Sequence, residues 1–165
     1  MPRVFDNIEH HLLGALVDTL QATDRADLCV GYFNLRGWRM LDHSIEAWPG
    51  GEGHCCRLLV GMQDRPEEDL RAALSFRADD ERMSNAQALR LKQRLAEDFR
   101  AQLTFGTPTN EDEAGLRRLA AQIRAGKVIV KLFLKHHLHA KLYLCFRPRD
   151  PINPAVGFVG SSNLT

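Results

Sequence analysis

The sequence predicts an α/β protein in which helices flank a mixed central β-sheet. Helical and strand-like apolar patterns alternate through the first part of the chain, and strand patterns follow one another near its end. This order is typical of a layered α/β fold with a mixed sheet. The 165 residues are 44% hydrophobic and 26% charged, with a net charge of +1. These values predict one globular domain over 1–165 and exclude a disordered chain or a polycation.

The first predicted elements are a helix, a strand and a second helix. Apolar residues recur at helical spacing over 8–20, where Asp6 or Asn7 supplies the N-cap oxygen. A short apolar run over 27–33 predicts a strand, and Asn34 is placed to cap a helix that continues to Trp48. Pro49 and two glycines then interrupt the chain before a buried strand over 55–61.

The remainder of the chain is predicted to be helical first and rich in strands afterwards. Pro66 with the acids that follow it indicates a helix over 66–76, and the acidic run 111–113 indicates one over 111–126. Apolar residues at helical spacing among basic residues indicate a helix over 85–105. Short runs of strand-forming residues indicate strands over 128–134, 139–146 and 155–159. The chain stops directly after a polar turn, so we expect it to be the amino-terminal part of a longer protein.

Cysteine use and hydropathy indicate a reducing compartment. The four cysteines are Cys29, Cys55, Cys56 and Cys145, and they form no CxxC pair. Adjacent Cys55 and Cys56 would face opposite sides of a strand, which prevents them from holding one ion together. No apolar run is long enough to span a bilayer, and the amino end does not resemble a signal peptide. We therefore expect a cytoplasmic protein that does not enter a membrane.

Two residues near the end of the chain indicate an anion site. His139 and Lys141 lie two positions apart on a predicted strand, so both side chains face the same way. A lysine that alternates into a sheet beside a histidine is typical of a site that holds an anion. After the next strand, Ser161, Ser162 and Asn163 follow Gly160, which allows a tight turn where donors converge on phosphate oxygens.

A zinc site is the competing interpretation of the same region. His136, His137 and His139 are close in sequence, but Lys135 and Lys141 flank them and no carboxylate or thiolate lies near. We predict that no metal and no other cofactor is bound.

The pattern HxK at 139–141 followed by GSSN at 160–163 resembles the signature of the phospholipase D superfamily. The segments 5–7 and 31–38 also look like the phospholipase D-like domain that precedes the motor in some bacterial superfamily 2 helicases. Many superfamily members carry an aspartate five residues after the lysine, whereas this chain has Phe146. The departure favours the nuclease-like subset over lipid hydrolases.

The resemblance implies metal-independent hydrolysis of a phosphodiester through a phosphohistidine. His139 would be the nucleophile, Lys141 and Asn163 would bind the non-bridging oxygens, and Ser161 or Ser162 would assist. The family builds each active site from two HxK halves, and one is present in this chain. The resemblance therefore implies either a homodimer or a second HxK motif beyond Thr165, with the longer polypeptide favoured.

The uneven distribution of charge along the chain indicates that the partner is a nucleic acid, with DNA favoured over RNA. Residues 111–150 carry nine Lys and Arg against four Asp and Glu, whereas the first 110 residues are net negative. The candidate nucleic-acid contacts are Arg117, Arg118, Lys131 and Lys135. We expect a nuclease module attached to a helicase or a restriction-type protein. The alternatives are a catalytically silent nucleic-acid-binding or dimerisation module and, third, a phospholipid hydrolase or transferase.

Overall fold

The structure is a computed structural model, and it describes residues 3–5, 11–61, 85–103, 109–133, 138–147 and 150–161. Helices and strands alternate within these ranges before three strands follow in succession. The helices are α1 (Leu12–Gln21), α2 (Leu35–Arg39), α3 (Asp42–Glu46), α4 (Asn85–Leu103) and α5 (Asn110–Arg124). The strands are β1 (Arg25–Val30), β2 (Cys56–Gly61), β3 (Val128–Phe133), β4 (Lys141–Phe146) and β5 (Ala155–Val159).

The strands form one five-stranded sheet in the order β3-β2-β1-β4-β5. β1, β2 and β3 are parallel, whereas β4 runs antiparallel to both β1 and β5. The carboxyl ends of β1, β2, β3 and β5 therefore meet the amino end of β4 at one edge of the sheet, which we call the carboxyl edge. The mixed sheet flanked by helices that the sequence predicts is confirmed.

One face of the sheet supplies all of the strand residues in the hydrophobic core. Alternation buries Ala26, Leu28 and Val30 of β1, and the paired residues of the neighbouring strands lie beside them. Side chains from the helices complete the same cluster, including Leu20, Trp38, Ile45, Leu103 and Leu119. Burial of this apolar surface is the main term that stabilises the fold.

The strand predictions hold within about three residues, and two of the helix predictions differ from the structure. The single helix predicted to reach Trp48 is two short helices separated by Met40 and Leu41. Leu41 N donates to Trp38 O at 2.8 Å in a tight turn, yet Leu41 and Ile45 remain buried. The apolar spacing is thus satisfied although the helix axis is broken.

The first helix is predicted to start at residue 8 with Asp6 or Asn7 as its cap, but α1 begins at Leu12 with His11 at the N-cap position, which offers no side-chain cap. Asp6, Asn7 and the predicted helix over 66–76 lie outside the described residues.

Helix boundaries elsewhere follow local side-chain chemistry. Asn34 caps α2 as expected, because its Oδ1 accepts a hydrogen bond from Gly37 N at 3.0 Å. α5 begins one residue before the predicted start, with Thr109 and Asp112 forming a reciprocal capping box. The hydrogen bonds from Thr109 lower the pKa of Asp112. α5 ends before Gly126, whose positive φ of 69° is suited to glycine.

Gln122 is a buried polar link between α5 and the α2–α3 segment. Its Oε1 accepts from Trp38 Nε1 at 3.1 Å, and its Nε2 donates to Asp42 O and Glu46 Oε2 at 3.1 and 3.0 Å. The side chain is 1% exposed. A buried amide satisfied on both ends fixes the position of one helix relative to another.

We predict that Gln122→Met destabilises the protein by about 1–3 kcal/mol, because Trp38 Nε1 and Asp42 O lose their partner in a buried site. Urea unfolding followed by tryptophan fluorescence measures the change. The matched control is Gln93→Met, at an exposed position of α4, which should change the free energy of unfolding by less than about 0.5 kcal/mol. Equal effects at both positions would contradict the role assigned to Gln122.

The second face of the sheet carries an ion pair among half-buried apolar residues. Arg57 binds Asp27 in a bidentate manner, and Arg25 contacts the same carboxylate. Burial alone would raise the pKa of Asp27, but the hydrogen bonds and charges of Arg57 and Arg25 outweigh it and leave the pKa lowered.

Because the pKa of Asp27 is lowered in the folded protein, its ion pair stabilises the fold above about pH 4 and the stabilisation is lost as the pH falls further. Asp27→Asn should therefore destabilise the protein at neutral pH by about 0.5–1 kcal/mol. The difference from the wild type should shrink in acid, measured as urea midpoints across a pH series. A difference that is constant with pH would show that the charge of Asp27 is not involved.

Candidate active site

Four chain segments meet at the carboxyl edge beside His139. Gly31, directly after β1, donates its N–H to Ala140 O at 2.8 Å. On the other side, Gly160 N donates to Lys141 O at 3.2 Å, so the chain after β5 continues to pair with the start of β4. The backbone on both sides of the HxK segment is therefore held by neighbouring strands.

Glycines permit an unusually close backbone approach at this edge. A Cβ added to Gly31 would lie 2.4 Å from Leu138 O, and one added to Gly61 would lie 2.6 Å from Gly31 O. Such distances are too short for any side chain, so glycine is required at both positions for this packing. Gln102 of α4 closes the same region, since its buried amide donates to Gly61 O at 3.3 Å and to Phe33 O at 3.4 Å.

Lys141 carries a buried cation at the end of the core. The residue is 9% exposed and lies on the core face of β4, the same face as Tyr143. Its Nζ is 3.3 Å from His139 Nδ1 and 3.5 Å from His139 O. Among the described residues no carboxylate forms an ion pair with it. Burial raises the pKa of Tyr143 to about 12, so this neighbouring phenol stays uncharged and does not neutralise the lysine.

The imidazole of His139 is exposed, in contrast to Lys141. β4 begins at Lys141 rather than at the predicted residue 139, yet Nδ1 still lies beside the Lys141 ammonium. An accessible imidazole beside a buried cation can do two things chemically: it can act as a nucleophile or base, and the cation can bind an incoming anion.

Only Gly160 and Ser161 of the predicted phosphate-binding segment are among the described residues. Ser161 is exposed and directly follows Gly160. Gly160 does not adopt the positive φ expected of a tight turn, and a Cβ there would meet nothing within 4 Å. Ser162 and Asn163 lie outside the described residues.

The predicted nucleic-acid contacts are not gathered around His139. Arg117 pairs with Glu113 at 2.6 Å on the exposed side of α5. Arg118 pairs with the buried carboxylate of Asp42 at 3.0 Å. Lys131 lies on β3 beside the ion pair of the second sheet face. Lys135 lies outside the described residues, together with His136 and His137.

A second polar region, which the sequence did not indicate, lies at the opposite edge of the sheet. His54 Nδ1 contacts Asp24 Oδ2 at 2.8 Å, and both residues line a cavity of about 930 Å³ with His43 and Arg147. Asp24 and His54 are 30 positions apart, and no motif in the sequence predicts this contact. Among the described residues, Arg147 Nε is buried at this cavity without a hydrogen-bond partner.

The described residues contain no cluster of three or more His, Cys, Asp or Glu able to hold a metal ion. In the same part of the chain, no helix is both long and apolar enough to cross a membrane.

The four cysteines are free thiols, and burial raises the pKa of Cys145 to about 12. Burial also raises the pKa of Cys29 and Cys56, so these three thiols are poor nucleophiles near neutral pH.

Neither a protein-family model nor a curated protein matches the chain. The functional interpretation therefore depends on the residues of the carboxyl edge and on their geometry.

We predict that Gly31→Ala destabilises the protein by about 2–4 kcal/mol, since the new methyl group forces β1 away from Leu138. The control is Gly14→Ala in α1, where a Cβ would meet nothing within 4 Å. That change should stabilise the protein by up to about 1 kcal/mol through helix propensity. Thermal unfolding of both variants gives the comparison, and a Gly31→Ala protein as stable as the wild type would rule out the close packing.

Proposed function

We propose that the chain carries one half-site of a metal-independent phosphodiesterase that cleaves nucleic acid. The observation that supports this proposal most strongly is the buried ammonium of Lys141, which has no described carboxylate partner and touches the exposed imidazole of His139. Burying a cation without a counter-charge is costly, so such a residue is best explained by a bound anion. A phosphodiester supplies that anion and also the electrophile for the imidazole.

In the proposed reaction, a ring nitrogen of His139 attacks phosphorus while the bond from phosphorus to the leaving oxygen breaks. The leaving oxygen takes a proton from a second histidine, which then acts as a base for water. Water attacks the phosphohistidine, the P–N bond breaks, and His139 is regenerated. Lys141, Ser161 and Asn163 bind non-bridging oxygens, whose charge increases in the transition state.

The proton donor in this scheme must come from another HxK motif. A second copy of the chain, or a second motif in a longer polypeptide, would supply it across an approximate two-fold axis. The carboxyl edge is the surface where such a partner would approach, because His139 and Ser161 are both exposed there. If a homodimer forms the site, activity per chain increases with protein concentration.

Nucleic acid is the favoured substrate because of the charge of the carboxyl-terminal third. The excess of Lys and Arg over Asp and Glu between residues 111 and 150 attracts a polyanion. However, Arg117 and Arg118 are already paired with carboxylates. A helicase or a restriction-type enzyme would be the context in which such a nuclease module acts. A silent nucleic-acid-binding or dimerisation module is the second candidate, supported by the same anion site without cleavage.

The decisive experiment incubates the protein with labelled single-stranded and double-stranded oligonucleotides in excess EDTA. Cleavage should persist in EDTA, because no step uses a metal ion. His139→Ala should reduce the rate by at least about 100-fold, since it removes the nucleophile. Lys141→Met should reduce it by a similar factor, since it removes the charge that stabilises the transition state. Denaturing electrophoresis of the products measures all three rates.

His43→Ala is the matched control, because this exposed histidine lines the cavity at the opposite edge of the sheet from His139, and its loss should leave the rate unchanged. Cleavage that EDTA abolishes, or that survives in His139→Ala, would contradict the proposed chemistry. Salt-dependent oligonucleotide binding without cleavage, over a range of protein concentrations, would favour the silent module. Release of headgroups from phospholipid vesicles without oligonucleotide cleavage would favour a lipid hydrolase.

A further inference from the structure

The contact between Lys141 and His139 has a fixed direction. An ammonium group has three N–H donors and no acceptor. At 3.3 Å from Lys141 Nζ, Nδ1 of His139 must therefore be the acceptor. A neutral imidazole carries its single proton on the other nitrogen when Nδ1 accepts. In the free protein, His139 accordingly bears its proton on Nε2, and its lone pair at Nδ1 is occupied by Lys141.

This arrangement leaves no ring nitrogen of His139 ready to attack. Nε2 has no free lone pair because it is protonated, and the lone pair of Nδ1 is engaged by the ammonium. Attack by Nδ1 requires the ammonium to leave. Attack by Nε2 requires the same departure, followed by transfer of the ring proton from Nε2 to Nδ1 through water. The Lys141–His139 contact must break whichever nitrogen is used.

We propose that Lys141 restrains His139 in the free protein and that a bound phosphate group releases it. This inference rests on the proposed function for its biological meaning, although its physical content concerns the free chain alone. The bound oxyanion competes with Nδ1 for the ammonium, and a hydrogen bond between two charged groups is roughly twice as strong as one to a neutral acceptor. Lys141 thereby couples substrate binding to activation of the nucleophile.

The position of Lys141 supports the exchange of partners. Its other contact, at 3.5 Å from His139 O, is a long hydrogen bond, so at least one ammonium N–H has no described partner. The backbone on each side of the lysine is fixed by Gly31 and Gly160. The exchange of partners therefore needs only a rotation of the Lys141 side chain, while the backbone at His139 stays in place.

The test is histidine ¹⁵N NMR of the whole chain at about pH 8, where histidines of ordinary basicity are neutral. The His139 signals are assigned by their loss in His139→Gln. In the free wild type, we expect a protonated Nε2 and an Nδ1 resonance displaced from its position in Lys141→Met. Lys141→Arg keeps a cationic donor and should retain most of the displacement. Inorganic phosphate should move the wild-type Nδ1 resonance towards the Lys141→Met position and leave that variant unaffected.

Reaction with diethyl pyrocarbonate gives a second measurement that depends on the imidazole lone pair. Mass spectrometry compares modification of His139 with that of His43, the exposed reference within the same molecule. Modification of His139 should be several-fold faster in Lys141→Met than in the wild type, and close to the wild-type rate in Lys141→Arg. Equal rates in the three proteins would overturn the inference.

A protonated Nδ1 in the free protein, or the same Nδ1 resonance in the wild type and Lys141→Met, would also overturn it. An Nδ1 resonance that phosphate does not move would overturn the release step. These outcomes are separable from failure of the proposed function. A restrained His139 in a protein that cleaves no phosphodiester would refute the nuclease alone, whereas metal-independent cleavage with an unrestrained His139 would refute the restraint alone.

Discussion

Close packing of three backbone segments at the carboxyl edge sets the geometry on which the candidate site depends. Gly31 lies between Gly61 and the chain before His139, and neither glycine could accept a side chain without displacing a strand. The approach of β4 to β1 at this point determines where Lys141 enters the core. Gln102 then satisfies the carbonyl oxygen of Gly61, which connects α4 to the same edge. Helices and strands thus converge on the few residues of the candidate site.

The buried cation represents a compromise between stability and binding. Lys141 occupies the row of the sheet that also contains Val30, a position where an apolar side chain would stabilise the core more. Its lack of a described counter-charge lowers stability in the free state, but the same deficit increases the free energy gained when an anion arrives. A carboxylate beside the lysine would stabilise the chain and compete with the substrate. The uncharged phenol of Tyr143 avoids that competition.

Much of the architecture was accessible from the sequence because the strands are short apolar runs bounded by polar residues. Strand geometry likewise predicts that Lys141, Tyr143 and Cys145 lie on one face of β4. The break between α2 and α3 was not accessible, since no proline or glycine marks Met40 or Leu41. Contacts between distant segments were equally hidden, including the Gln122 link and the Asp24–His54 pair. Periodicity reports which side of an element is buried, whereas partner choice depends on tertiary packing.

Strand order also affects the stage of folding at which the candidate site forms. β1 pairs with β4 although four helices and two strands separate them among the described elements, and Val30 faces Lys141 across that pairing. Contacts between segments so distant in the chain carry a large loop-closure entropy and slow the folding of the proteins that need them. During synthesis, the parallel core of β1, β2 and β3 is available before β4 emerges. His139, next to β4, therefore takes its place only after the strands that supply much of the hydrophobic core have been synthesised.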